Sequence, residues 1–159
     1  VVDLLCWMGG DVKRVRSLTG QLYSDIEGHL NFYTAALEFE GGGVGLLNSN
    51  RTSGGRALYF EMHAKGISAY GDIPGVPGVD HYMVLKDNQP YQEAEIVKNE
   101  QLIGSNAPKT HIDGSFQANR HFIDCIKEDR QPQASFGDAV KTMEVIKAIL
   151  SGPRLPPAA

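Results

Sequence analysis

The chain has 159 residues, of which 42% are hydrophobic and 21% are charged, and its formal net charge is -4. This size and composition are typical of one globular domain with its own core. The negative charge and the lack of a long apolar run argue against a nucleic-acid-binding protein and against a membrane span.

The first ten residues, VVDLLCWMGG, have the spacing of an amphipathic helix over residues 1–8, with Leu4, Leu5 and Met8 facing inward. Gly9 and Gly10 would end that helix. The segment has no basic region and no small-residue cleavage site, so it does not resemble a signal peptide. Because the chain starts on apolar helical residues, without Met or a cap, we expect a fragment with a partner segment upstream.

The sequence contains two cysteines, Cys6 and Cys125, far apart in segments that we predict to be helical. This usage favours buried, reduced thiols in a cytoplasmic protein over a disulfide scaffold or a zinc site.

Residues 29–72 predict the centre of an antiparallel sheet. Alternation places Tyr33, Ala35, Leu37 and Phe39 on one face of a strand over residues 31–39. Turns at residues 41–43 and 53–55 would join this strand to strands over 44–51 and 57–65. A weaker strand pattern precedes them at 12–18, and a short strand over 67–72 follows Gly66, which we predict to mark a bulge.

The rest of the chain predicts a loop, a hairpin and two helices. Residues 73–80 form the loop, residues 82–86 and 91–98 pair around 87–90, and residues 99–110 are irregular. The helix over 115–129 has an apolar stripe of Phe116, Phe122, Ile123 and Ile126. The last helix is capped by Ser135 with Asp138 and has a stripe of Ala139, Met143, Ile146 and Leu150.

This order of elements predicts an α+β fold with an open, mostly antiparallel sheet of about six strands and helices packed on one face. We expect one domain over residues 1–152 and a tail over 153–159. Because both faces of the sheet carry large side chains, we expect a second subunit or domain to cover the open face.

Three patterns in the sequence bear on chemistry. The glycine cluster at 41–45 does not open a helix after a parallel strand, so it predicts a hairpin turn and not a nucleotide site. None of the five histidines has a metal-ligand spacing; His121 is predicted on the solvent side of its helix, and His111 in a loop or at a helix start. The polar run at 48–56 fits a polyol or carboxylate site, although a plain turn is the simpler interpretation.

Several segments together resemble the Gfo/Idh/MocA family, the glucose–fructose oxidoreductases and inositol dehydrogenases. Val1, Asp3, Trp7 and Gly10 match the family's helix after its catalytic histidine, and residues 37–51 resemble a strand pair of its second domain. The ending NRHFIDCIKEDRQPQASFGDAVKTMEVIKAI resembles the family's two closing helices. The resemblance covers nearly the whole chain.

The resemblance implies the C-terminal domain of an NAD(P)-dependent oxidoreductase that acts on a sugar, cyclitol or similar polyol. An upstream Rossmann domain would bind NAD(P), and a homodimer or homotetramer would form through the open sheet face. The chain lacks the glycine fingerprint, the lysine and the Asp-x-x-x-His pair of the family. We therefore expect no cofactor site, no catalytic residue and no activity in this chain alone.

Carried over position by position, the resemblance implies that Asn50, Arg51 and His111 contact substrate. Asp3 would either orient the missing histidine or simply supply a favourable charge at the start of its helix. An alternative of a different class remains, a non-catalytic module that binds a protein through the open sheet face.

Overall fold

The computed structural model of the chain describes residues 1–22, 26, 28–52, 54–55, 57–72, 81–87, 94–104, 106–112 and 114–156. It divides into two compact units, Val1–Gly54 with Gln133–Ala159, and Gly55–Pro132. The single domain over residues 1–152 stays a prediction. The described helices include none that is long and apolar enough to cross a membrane.

The elements in chain order are α1 (Val2–Gly9), β1 (Val12–Gly20), β2 (Phe32–Phe39), β3 (Val44–Asn50), β4 (Tyr59–Ala64), β5 (Ile67–Asp72), β6 (His81–Lys86), β7 (Glu95–Lys98), α2 (Asn99–Ile103), α3 (Lys109–Ile112), α4 (Ser115–Lys127) and α5 (Phe136–Leu150). The α+β class and the antiparallel pairing are confirmed. Hydrogen bonds link the described strands in two sheets, β1-β2-β3 and β4-β5-β6-β7.

The first sheet is centred on β2, and its alternating burial is the one predicted. Ala35, Leu37 and Phe39 are buried, whereas the residues between them are only half-buried. Leu37 is paired with Val15 of β1 and Gly45 of β3. A side chain of this size contributes about 1.5–3 kcal/mol when it is fully buried. A register shift between Val12 and Arg14 explains why the alternation in β1 is broken.

The glycine cluster between β2 and β3 is the predicted hairpin turn. Phe39 N donates to Gly43 O at 3.0 Å, and Gly42 N donates to Phe39 O at 2.9 Å. Gly42 has a φ of 84°, a left-handed value that favours glycine. These backbone groups are therefore used to close the strand pair, and the cluster does not form the strand-to-helix turn that holds a dinucleotide.

Two helices, α1 and α5, pack on the Leu37 face of the first sheet. The core consists of Ala35, Leu37, Phe39, Leu47, Val145 and Ile149, with Val2, Leu5 and Cys6 of α1 packed against it. The opposite face carries Val44 and Leu46, whose exposed fractions are 69% and 79%. Helices thus cover one face of this sheet, as predicted.

The predicted apolar stripes of the helices are wrong in part. Val145 and Ile149 are the buried residues of α5, whereas Met143 and Leu150 are 60% and 42% exposed. The apolar residues of α5 occupy more than one face of the helix, so their spacing alone does not determine which face is buried. On α4 the predicted stripe is exposed and Cys125 is buried, and on α1 the core contacts come from Val2, Leu5 and Cys6 instead of Leu4 and Met8.

The start of α5 is confirmed down to its cap. Asp138 N donates to Ser135 Oγ at 3.3 Å, and Ser135 N donates to Asp138 Oδ2 at 2.9 Å. This reciprocal pair is the capping box that the sequence predicts.

The second unit corrects three predictions. Gly66, with a φ of 76°, lies in the turn of the β4–β5 hairpin and not in a bulge, because Ala64 pairs with Ile67. Strands β3 and β4 are paired in different sheets, so residues 53–55 do not join a hairpin; Ser53 itself lies outside the described residues. The segment 99–110 contains α2 and the start of α3 instead of being irregular.

The predicted hairpin of the second sheet is confirmed, since β6 pairs with β7. Its turn residues 88–90 and the predicted loop over 73–80 lie outside the described residues. The tail is docked over its described part. Thr19 N donates to Pro153 O at 3.0 Å and Leu155 N to Thr19 O at 2.7 Å.

Candidate functional site

Asn50 and Arg51 lie where β3 leaves the first sheet. The Asn50 carboxamide oxygen accepts from Thr52 N at 2.9 Å and from Thr52 Oγ1 at 2.8 Å. This is an Asx-type turn, in which a side chain replaces a backbone acceptor. Asn50 therefore takes part in a turn, with its carboxamide oxygen engaged within the chain, and a substrate contact at Asn50 stays a prediction.

Arg51 is fixed at its backbone and exposed at its side chain. Its amide donates to Asn31 O at 2.9 Å, which ties the end of β3 to the start of β2. The residue is exposed, and none of the ion pairs between described residues includes it. A guanidinium in this state can still bind a carboxylate with two parallel hydrogen bonds.

Asn31 is a residue that the sequence did not single out. It is 1% exposed, and its carboxamide pairs with both backbone groups of Leu22. A polar residue next to a strand start gives no signal that separates this role from an ordinary turn. Only the register of β1, β2 and β3 shows that Asn31 lies between two strand ends.

Asp3 lies in the first turn of α1 and accepts a hydrogen bond from Thr142 Oγ1 at 2.9 Å. It therefore ties α1 to α5. A carboxylate at this position also interacts favourably with the helix dipole. Its charge, after the larger effect of burial, helps to raise the pKa of the neighbouring Cys6 thiol.

His111 lies on α3 in the second unit and is half-buried. Its ring stacks on Phe116 with the ring centroids 4.2 Å apart and the planes tilted by 16°. Its carbonyl accepts from Gln117 Nε2 at 3.3 Å. The ring atom Nδ1 is buried and has no hydrogen-bond partner among the described residues. Buried nitrogens of this kind are normally paired with protein, water or ligand.

The four predicted residues fall into two groups. Asn50, Arg51 and Asp3 belong to the first unit and His111 belongs to the second. Within the first unit they are held by different partners, since Asp3 bonds to α5 whereas Asn50 and Arg51 bond to their own turn and to Asn31.

Other titratable side chains form local pairs. His121 is not on a solvent face as predicted; it is half-buried, and its Nε2 lies 3.5 Å from the buried Cys125 Sγ. On the second sheet His63 Nδ1 lies 3.0 Å from Ser68 Oγ and its Nε2 lies 3.7 Å from Glu61 Oε2. A search of the described residues finds no group of three or more His, Cys, Asp and Glu side chains that could hold a metal ion. Cys6 and Cys125 are free thiols; Cys125 is buried, as predicted, whereas Cys6 is only half-buried.

Neither a protein-family model nor a curated protein sequence matches this chain. Solved structures do match it. A levoglucosan dehydrogenase in complex with NADH aligns with a TM-score of 0.79 and 16% identity, over 94% of this chain and 45% of the dehydrogenase. An oxidoreductase from Agrobacterium radiobacter in complex with NAD⁺, L-tartaric acid and magnesium aligns with a TM-score of 0.72 and 16% identity, over 94% of this chain and 43% of that protein.

The WlbA dehydrogenase from Bordetella pertussis, in complex with NADH and UDP-GlcNAcA, aligns with a TM-score of 0.68 and 20% identity. The alignment covers 94% of this chain and 42% of WlbA. The chain thus spans less than half the length of each of these three proteins. They are Gfo/Idh/MocA-type oxidoreductases, so the resemblance noted in the sequence is confirmed at the level of the fold.

Proposed function

We propose that this chain is the C-terminal, substrate-binding and oligomerisation domain of a Gfo/Idh/MocA-type NAD(P)-dependent oxidoreductase that acts on a sugar, cyclitol or similar polyol. The observation that carries the proposal is the fold shared with levoglucosan dehydrogenase, at a TM-score of 0.79 over 94% of this chain. The sequence segments that resemble the family support it independently.

The glycine-rich segment of this chain does not have the form of a dinucleotide-binding turn. The glycine cluster is a β-hairpin whose amides close the β2–β3 turn, and no glycine fingerprint occurs elsewhere in the sequence. The proposal therefore assigns NAD(P) to a separate Rossmann domain and assigns this chain no step of the redox chemistry.

Substrate contacts are proposed for Arg51 in the first unit and, separately, for His111 in the second. The guanidinium of Arg51 is an exposed donor to carboxylate or hydroxyl oxygens. His111 Nδ1 is a buried ring atom without a described partner, and a substrate hydroxyl could supply one. Asn50 holds the turn that presents Arg51, and Asp3 fastens α1 to α5.

The open face of the first sheet is proposed as the oligomer interface. Val44 and Leu46 of β3 are exposed there. Glu38 of β2, which pairs with Val44, forms an ion pair with Arg14 of β1. Exposed apolar side chains next to charged ones are typical of a subunit interface. The same exposed face supports the alternative of a non-catalytic binding module. The two hypotheses therefore predict different results for substrate binding and the same use of this face.

The deciding experiment measures steady-state kinetics of the full-length protein that contains this chain, with Arg51→Ala and with Arg154→Ala as a matched arginine control. A hydrogen bond to a charged group contributes about 1.5–3 kcal/mol, so Arg51→Ala should raise the KM for a polyol by about tenfold or more. Arg154→Ala should leave it unchanged. Equal kinetics for Arg51→Ala and the wild type would remove Arg51 from the site.

A second measurement tests the assignment of the cofactor. NADH fluorescence titrated with the 159-residue chain should show no saturable binding. Saturation in the micromolar range would contradict the proposal that the cofactor belongs to a separate domain.

A further inference from the structure

One buried residue, Asn31, joins three segments of the first unit. Its Nδ2 donates to Leu22 O at 2.6 Å, and its Oδ1 accepts from Leu22 N at 2.8 Å. Its own amide donates to Gly20 O at 3.1 Å, and its carbonyl accepts from Arg51 N at 2.9 Å. These four bonds, here called the Asn31 network, connect the end of β1, the loop after it and the end of β3.

The chemistry of the network requires a carboxamide. The planar carboxamide of Asn or Gln presents its donor and its acceptor side by side, which suits the N–H and C=O groups of one residue. Asp would keep the acceptor for Leu22 N and lose the donor to Leu22 O, and an apolar residue would leave both groups unpaired. Since Asn31 is 1% exposed, water cannot readily replace the lost bonds.

The network fixes the point from which the Arg51 side chain extends. The Arg51 amide is bonded to Asn31, and the residue before it, Asn50, closes a turn with Thr52. The backbone is therefore held on both sides of Arg51, while its guanidinium is exposed and forms no ion pair with another described residue. A backbone that is already fixed loses little further conformational entropy when the side chain binds an anion.

We infer, on the basis of the proposed function, that Asn31 is the positioning residue for Arg51 and that Arg51 recognises the carboxylate of an acidic sugar or a related hydroxy acid. A planar guanidinium matches a carboxylate through two charge-assisted hydrogen bonds. Neutral hydroxyls use the same donors without the charge. The site thus prefers a polyol that carries a carboxylate over the neutral polyol of the same carbon skeleton.

The test is an NMR titration of the ¹⁵N-labelled chain with D-gluconate and with D-glucitol, which differ only in the carboxylate group. Gluconate should shift the Nε and amide signals of Arg51, with an affinity at least tenfold higher than that of glucitol. Asn31→Ala should weaken gluconate binding at least fivefold and speed hydrogen exchange at the amides of Arg51 and Leu22. Exchange at Leu37, in the middle of the sheet, should not change.

Two further variants keep the test decisive. Asn31→Asp retains the acceptor, so it should keep the Leu22 amide protected even where Asn31→Ala proves too unstable to measure. Lys147→Ala alters an exposed residue of α5 and should leave gluconate binding unchanged.

The outcomes separate the inference from the proposed function. If gluconate binds to Asn31→Ala and to the wild type with equal affinity, Asn31 does not position Arg51 and the proposed function stands. If neither ligand shifts Arg51, Arg51 is not a substrate contact, and the inference and the proposed substrate site both fail. If glucitol binds as tightly as gluconate, Arg51 remains in the site and the carboxylate preference is wrong.

Discussion

Replacing Gly9 with Ala should destabilise the first unit, although Ala favours helices. A methyl group built on Gly9 would lie 2.2 Å, 2.3 Å and 2.5 Å from three ring atoms of Phe39. The ring cannot retreat, because it already lies against Gly45 of β3, where an added Cβ would be 2.9 Å from the nearest ring atom. Phe39 is 5% exposed, so no solvent-filled space is available to receive it.

The two opposing effects can be weighed. Overpacking of a closed core costs about 1–3 kcal/mol. Ala in place of Gly contributes up to about 1 kcal/mol of helix propensity, and less at the last residue of α1. We expect a net loss of about 1–2 kcal/mol, which for a chain of this size lowers the Tm by roughly 3–8 °C.

Gly41→Ala is the matched control. A methyl group there meets no atom within 4 Å, and the backbone of Gly41 is not in the left-handed region, so its effect should stay within about 0.5 kcal/mol. Urea unfolding followed by circular dichroism measures both variants. The double variant Gly9→Ala with Phe39→Leu should recover part of the loss, because the two residues are in contact. Equal stability of Gly9→Ala and Gly41→Ala would refute the packing of α1 on Phe39.

Three further predictions concern the cap of α5 and the thiols. Ser135→Ala should cost about 1 kcal/mol and Ser135→Gly only a few tenths, measured by urea unfolding; equal costs would contradict the capping role. Hydrogen bonds from Ser135 hold the pKa of Asp138 below its usual 3.8, so its contribution to stability is complete above pH 3.8 and is lost as the pH falls through the lower folded-state value. Asp138→Asn should remove this part of the loss of stability in acid, measured by unfolding curves from pH 7 to pH 3. An unchanged pH profile would contradict a stabilising role of the Asp138 charge. Burial, and then the charge of Asp3, raise the pKa of Cys6, so Asp3→Asn should speed its reaction with Ellman's reagent at pH 7 in a Cys125→Ser background; an unaltered rate would rule out the charge effect.

The strands and the turn chemistry of the first sheet could be predicted from local sequence. The alternation from Tyr33 to Phe39 matches the burial of β2, and the hairpin at 41–43 follows from residues that tolerate positive φ. The capping box at Ser135 and Asp138 was equally predictable, because it depends on a fixed spacing of three residues.

Features that depend on what packs against an element could not be predicted in the same way. The buried side of α5 is set by β1 and α1, through the bond from Ser17 Oγ to Ile149 O at 2.7 Å and the bond from Thr142 to Asp3. An apolar pattern wider than one helix face leaves this choice open. The short helices over 99–112 were missed because five or four residues carry too little periodicity to detect.

For the candidate site, the sequence by itself determined which residue types end β3 and precede α4, and it carried the family resemblance. It left open whether Asn50 formed a turn or a site, since either use needs the same polar side chain. Only the tertiary structure decided that the carboxamide of Asn50 closes a turn, that His111 stacks on Phe116, and that Asn31 connects Leu22 with Arg51. The Asn31 contacts join residues 9 and 20 positions apart through strand register and burial, and neither property is encoded in any single stretch of residues.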